Sequence, residues 1–161
     1  MTVRQSPNEL IAEHIREYRW HCLHVFPTAS DSEHSNFSYS IGFTESFGQP
    51  EILIFGLSRD KAHALLAECA SLLSDGAAFE PDVEDDRVLA NGYKVVFRPV
   101  LASRFREYLG TARRYYGARN FSALVMYLPD RDGRFPWQSG YDGKNVDEAV
   151  SITGPPEAGT A

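Results

Sequence analysis

Hydrophobic positions change period along the chain, and each change marks an element. Ser6-Pro7-Asn8-Glu9 places a serine before a proline, with a glutamate three residues after the serine, which is the signature of a capped helix start. Leu10, Ile11, Ile15 and Tyr18 then recur on one side of a helix to about Arg19. Over residues 20–26 the period drops to two, with Trp20, Cys22, His24 and Phe26 on one face and His21, Leu23 and Val25 on the other. Pro27 ends that strand, and residues 28–35 are polar and loop-like. Residues 37–44 alternate more strictly, with Phe37, Tyr39, Ile41 and Phe43 against Ser38, Ser40, Gly42 and Thr44. A face of small and hydroxyl-bearing residues lets another body approach the sheet closely, either a ligand or a packed neighbour.

After a predicted turn over residues 45–49, Pro50 opens an apolar run, Ile52 to Phe55, that reads as a strand buried on both faces. Ser58 is a natural N-cap, and Ala62, Leu65, Leu66, Cys69, Leu72 and Leu73 follow at helical spacing until Gly76. Residues 79–86 are acidic and loop-like, Asn91-Gly92 predicts a hairpin turn, and residues 93–100 a strand. Ser103 is expected to cap a third helix carrying Phe105, Tyr108, Leu109, Ala112 and Tyr116 and ending at Gly117. The last predicted strand spans residues 123–128 and runs into the turn sequence Pro129-Asp130-Arg131-Asp132-Gly133. Short connections favour antiparallel neighbours, since a parallel crossover needs a dozen residues or more. The pattern therefore predicts an α+β fold, a mostly antiparallel sheet or partial (split) barrel with about three flanking helices. Residues 1–141 are expected to form a single domain, and residues 142–161, small and polar, a flexible C-terminal tail.

Composition narrows the function classes. The 161 residues carry a formal net charge of −6, which argues against general affinity for nucleic acid or an anionic membrane. No apolar run approaches the roughly 20 residues of a membrane span. Residues 1–7 lack the apolar core of a secretory signal, so the cytoplasm is the expected location. The two cysteines, Cys22 and Cys69, both fall in apolar patterns and read as reduced core residues.

Against this acidic background one stretch is basic. Lys94, Arg98, Arg104, Arg106, Arg113, Arg114 and Arg119 are opposed only by Glu107, and arginine's forked donors suit phosphate or carboxylate. A solvated helix face balanced by the acidic residues 82–86 is the plainer account of the same charges. Ser38, Ser40 and Thr44 would add hydroxyl donors if the fold brought them near. Glu51, at the mouth of a buried strand, needs a partner, which Arg98 or Arg134 could supply. Tyr39, Tyr116 and Trp137 are either core or a surface for a planar ligand. His21, Cys22 and His24 do not have metal-ligand spacing, no metal is expected, and no low-pKa thiol is suggested. No nucleophile elbow, phosphate loop or dinucleotide fingerprint is present, so the residues leave enzyme status open.

Three groups of residues together carry a family likeness: Phe37-Ser38-Tyr39-Ser40-Ile41-Gly42-Phe43, Gly48-Gln49-Pro50-Glu51-Ile52 with Phe55-Gly56-Leu57, and Gly133-Arg134-Phe135-Pro136-Trp137. From about Trp20 to Trp137 the chain resembles the bacterial family known as domain of unknown function 4262. Gln49 departs from the histidine expected there in many relatives. The resemblance implies no reaction. The strand–strand–helix centre is also similar to flavin-binding split barrels, which implies flavin mononucleotide at the interface of a homodimer. The resulting expectation is a domain that binds a small anionic ligand, flavin or another planar anion, through Ser38, Tyr39, Ser40, Thr44, Glu51, Arg98, Arg114, Tyr116, Arg134 and Trp137. The alternative is a non-catalytic protein-interaction module without a cofactor.

Overall fold

Ser6 begins the first helix in the way its spacing predicts. In the computed structural model, which describes residues 6–27, 35–143 and 146–154, the Ser6 hydroxyl accepts from the Glu9 amide at 3.2 Å, and the Glu9 carboxylate accepts from the Ser6 amide at 3.1 Å. Helix α1 (Pro7–Tyr18) buries Ile11 and Ile15, while Leu10 and Tyr18, expected on the same stripe, stay exposed. Arg19 closes it in the left-handed conformation, and β1 (His21–Val25) follows.

β2 is shorter than its alternation suggests. It covers Phe37–Ile41, and the chain then leaves the sheet at Gly42 with φ of +121° and enters a short helix, α2 (Phe43–Phe47). The cause is steric. A Cβ on Gly42 would lie 2.9 Å from the Trp20 Cα and 3.0 Å from the Arg19 carbonyl oxygen, so the backbone passes close under the α1–β1 junction. Thr44 therefore sits on a helix, and Phe43 packs on the opposite side of the sheet from Tyr39.

The remaining elements are β3 (Glu51–Phe55), α3 (Arg59–Ser74), β4 (Glu84–Asp85), β5 (Val95–Pro99), α4 (Phe105–Tyr108), α5 (Gly110–Tyr116), β6 (Ala123–Tyr127) and α6 (Asp147–Thr153). Ser58 caps α3 through the Lys61 amide at 3.3 Å. The predicted third helix is instead a 3-10 turn at Ala102–Arg104 followed by α4 and α5, broken at fully buried Leu109, and Ser103 makes no side-chain cap.

The strands form one open sheet in the order β1-β2-β3-β6-β5-β4. Every pairing is antiparallel except β3 with β6, and β1 and β4 are free edges rather than closing a barrel. Helices cover both faces. On one, Tyr39, Ile41, Leu53, Val96 and Val125 pack with residues of α1, α4, α5 and α6. On the other, Ile52, Ile54, Phe97, Leu124 and Met126 pack against Leu66, Cys69 and Leu73 of α3. α3 also lies over β2, so the body that approaches its small-residue face is a helix of the same chain. No helix among the described residues is long and apolar enough to cross a membrane.

Residues 147–154, which composition assigns to a tail, are part of the packed domain. Ala149, Ile152 and Thr153 are buried, the Ile152 carbonyl accepts from the Leu101 amide at 2.8 Å, and the Gly154 carbonyl accepts from Arg98 at 2.6 Å. Composition does not show this packing because a helix of about two turns with a buried isoleucine and alanine suffices to close this corner. The rest of the expected tail, residues 144–145 and 155–161, lies outside the described residues.

Candidate functional site

Glu51 opens β3 with no exposed surface, and a carboxylate in that position must be surrounded by donors. Its Oε1 accepts from the Ser40 hydroxyl at 2.8 Å and the Phe43 amide at 3.0 Å. Its Oε2 accepts from the Thr44 amide at 3.0 Å, the Gly42 amide at 3.3 Å and the Tyr116 hydroxyl. Burial pushes the Glu51 carboxyl above its ordinary value, while the surrounding hydroxyl and amide donors pull it back. Burial and the adjacent carboxylate push the Tyr116 hydroxyl up as well. The partner expected for Glu51, Arg98 or Arg134, is thus replaced by two hydroxyls and three backbone amides. The arrangement ties the end of β2, the start of α2, the start of β3 and the end of α5 to one point. Enclosed on every side, Glu51 holds the Gly42 turn and does not meet solute.

The hydroxyls expected to face an anion are engaged inside the fold. Ser38 bonds His24 Nδ1 at 2.7 Å, Ser40 accepts from the Ile52 amide as it donates to Glu51, and Thr44 donates to the Gln49 carbonyl at 2.8 Å. The Tyr39 hydroxyl accepts from the Ala112 amide at 3.3 Å. Arg98 is buried and pairs with Asp82 at 2.7 Å, with its guanidinium 5.9 Å from the Trp137 ring centroid. Trp137 stacks on Phe135 with centroids 5.4 Å apart. Arg134 is spent on the Gly140 carbonyl at 3.0 Å. The structure therefore unites Ser40, Thr44, Glu51 and Tyr116 in one network and Arg98 with Trp137 in another, and sets Arg114 apart from both.

The basic stretch divides in the same way. Lys94 pairs with Glu84, Arg98 with Asp82, Arg104 with Glu107 and Arg119 with Glu45. Among the described residues Arg106, Arg113 and Arg114 form no ion pair; Arg114 donates to the Thr111 hydroxyl at 3.1 Å. Helices α4 and α5 and the turn after α5 bring these three, with Arg119, around a hollow of about 540 Å³. Half-buried Phe105 and Phe121, with ring centroids 5.4 Å apart, form its apolar side, and among the described residues no carboxylate lines it. Four arginines line this concavity, three of them outside any ion pair among the described residues, and arginine's forked N–H donors suit phosphate or carboxylate. All four belong to the basic stretch visible in the sequence, and Arg114 is the one among them expected there to bind the ligand. The helix break at Leu109, between Arg106 and the pair Arg113 and Arg114, has no composition signal.

The model of the family described as Domain of unknown function (DUF4262) matches residues 14–142. The chain belongs to that family. No curated protein and no solved structure matches it. The DUF4262 match takes in all six strands, the Glu51 network and the arginine hollow, and stops short of α6.

A second concavity of this DUF4262 domain, about 440 Å³, is lined by His14, His21, Cys22, His24 and His63 beside Trp20. His14 and His21 meet Nδ1 to Nδ1 at 2.8 Å, and Cys22 Sγ lies 3.5 Å from His24 Nε2. Among the described residues no three His, Cys, Asp or Glu are placed to hold one metal ion. Burial, with His14 and His24 alongside, lowers the pKa of His21 to about 4, and burial pushes the Cys22 thiol up to about 12. A thiol so raised is a poor nucleophile.

Proposed function

We propose that this domain binds a small anionic ligand at the hollow formed by Arg106, Arg113, Arg114 and Arg119. The observation that carries the reading is the combination of three arginines without a carboxylate partner among the described residues and an apolar wall of Phe105 and Phe121, in a chain of net charge −6. An acidic protein gains nothing in solubility from concentrating unpaired cations at one place, whereas an anion site requires it. A planar anion such as flavin mononucleotide can present its phosphate to the guanidinium groups and a ring to the phenylalanines. The proposal differs from the split-barrel expectation in location: the hydroxyls of Ser38, Ser40 and Thr44 take no part.

Titration at low ionic strength with flavin mononucleotide, followed by flavin absorbance and fluorescence, and with methyl phosphate, followed by amide chemical shifts, tests the reading. The expected result is saturable binding that weakens with salt and falls about tenfold or more in Arg113→Ala and in Arg114→Ala, since each loses a charge-assisted contact. Absence of binding by both anions would remove the proposal.

A further inference from the structure

Arg114 and Gly110 line the arginine hollow and also a second concavity on the other side of α5. This groove, about 420 Å³, lies between β1, β2 and the α4–α5 segment, and its floor is apolar: Leu23, Val25, Phe37, Tyr39 and Tyr108. Its volume falls within the range of about 300–1,000 Å³ of small-molecule sites. The carboxylates on its rim are Glu107 and Glu148, the first paired with Arg104 at 3.0 Å and the second accepting from the Tyr108 hydroxyl at 2.7 Å. Among the described residues one concavity is therefore lined by arginines and no acid, and its neighbour is apolar with Glu107, Glu148 and Arg114 as its charged residues. The two adjoin at Gly110, where even an added Cβ would meet nothing nearer than the Arg114 Nη1 at 3.6 Å.

We infer that the ligand is a soluble amphiphilic anion, with a phosphate or carboxylate head in the arginine hollow and an apolar arm that passes Gly110 into the groove on β1 and β2. The inference rests on the anion site proposed above and adds the class of molecule it takes. The charge pattern sets the direction. Among the described lining residues the groove offers Arg114 as its one cation against four in the hollow, so the head belongs with the arginines, while the apolar floor gains by removing an alkyl or aromatic arm from water. Arg114 stands at the junction and meets the head from the groove side.

The test compares methyl phosphate with octyl phosphate, kept below its micelle concentration, by isothermal titration calorimetry on the full chain. Burying about four methylenes of the arm at about 0.8 kcal/mol each predicts octyl phosphate binding roughly 200-fold more tightly. Val25→Asp, on the groove floor only, is expected to abolish that advantage and leave methyl phosphate binding unchanged. Gly110→Trp, which fills the passage at a position with ordinary backbone geometry, should do the same to octyl phosphate, and circular dichroism checks that both variants fold. Arg113→Ala should weaken both ligands together. If the two phosphates bind equally and both lose affinity in Arg113→Ala, the anion site stands and the amphiphile inference falls. An octyl advantage that survives both Val25→Asp and Gly110→Trp puts the arm elsewhere and equally overturns it. Capture by phosphatidylglycerol vesicles without binding of free octyl phosphate would assign the surface to a membrane and overturn the soluble-ligand inference. If neither phosphate binds, both readings fail together.

Discussion

Replacing Glu51 by glutamine puts an NH₂ group into a shell where every neighbour already donates. One donor must then face another, so Glu51→Gln is expected to cost about 2–4 kcal/mol, read from urea denaturation. Tyr116→Phe removes one donor and leaves the rest, so its cost should be smaller, about 1–2 kcal/mol, and a double-mutant cycle should show coupling between the two. The sequence signalled that a carboxylate beside Pro50 needs partners, and it placed Tyr116 and Ser40 among the residues of interest. It did not show that they partner Glu51, because backbone amides of a turn carry no side-chain signature. A second residue-scale consequence concerns acid. The folded pKa of His21, about 4, lies below the ordinary 6.5, so between those values the unfolded chain binds more protons than the folded one. Stability contributed by neutral His21 is complete above pH 6.5 and is lost as the pH falls toward 4. The melting temperature of the wild type should therefore drop more between pH 7 and pH 4.5 than that of His21→Gln; equal drops would show that His21 does not set this dependence.

Among the elements, those with strong periodicity and capping chemistry were the legible ones. α1 and α3 begin at the serines that predict them, and Asn91-Gly92 turns with positive φ at both residues. The failures have physical causes that periodicity does not see. Residues 42–44 alternate in size like a strand, yet tertiary crowding at Gly42 sends them into α2. The third helix keeps its apolar spacing through Leu109, but burial of that side chain is reached by breaking the helix. α6 is seven residues long, and its value lies in partners distant in sequence: Tyr127 meets Thr153 at 2.6 Å, and Tyr108 meets Glu148. Truncation after residue 145 is accordingly expected to lower the melting temperature by several degrees, because it uncovers Val100 and Tyr127 and leaves the Leu101 amide without its acceptor. An unchanged melting curve would show that α6 adds nothing to the core.

Across the whole molecule, the mostly antiparallel α+β architecture was readable because short turns constrain which strands can be neighbours. The openness of the sheet was not, since closure depends on how β1 and β4 lie in space. The arginine hollow was half legible for a related reason: the charges are visible as a run, but their sorting into paired and unpaired sets requires acids from residues 45, 82 and 84 to arrive from elsewhere. The strand order carries a further consequence. β1, β2 and β3 form one meander and β4, β5 and β6 another, and the hydrogen bonds that join the two are those of the single parallel pair, β3 with β6. Every strand before α3 belongs to one half of the sheet, and every strand after it to the other. The chain is thus suited to reconstitution from two pieces cut after exposed Ala78. Each piece alone presents a bare central strand and an uncovered apolar face, and should aggregate. Co-expressed, residues 1–78 and 79–161 should zip along β3 and β6, with the Glu51–Tyr116 contact and the shared apolar faces closing around that seam, into a soluble heterodimer that serves as a binary reporter.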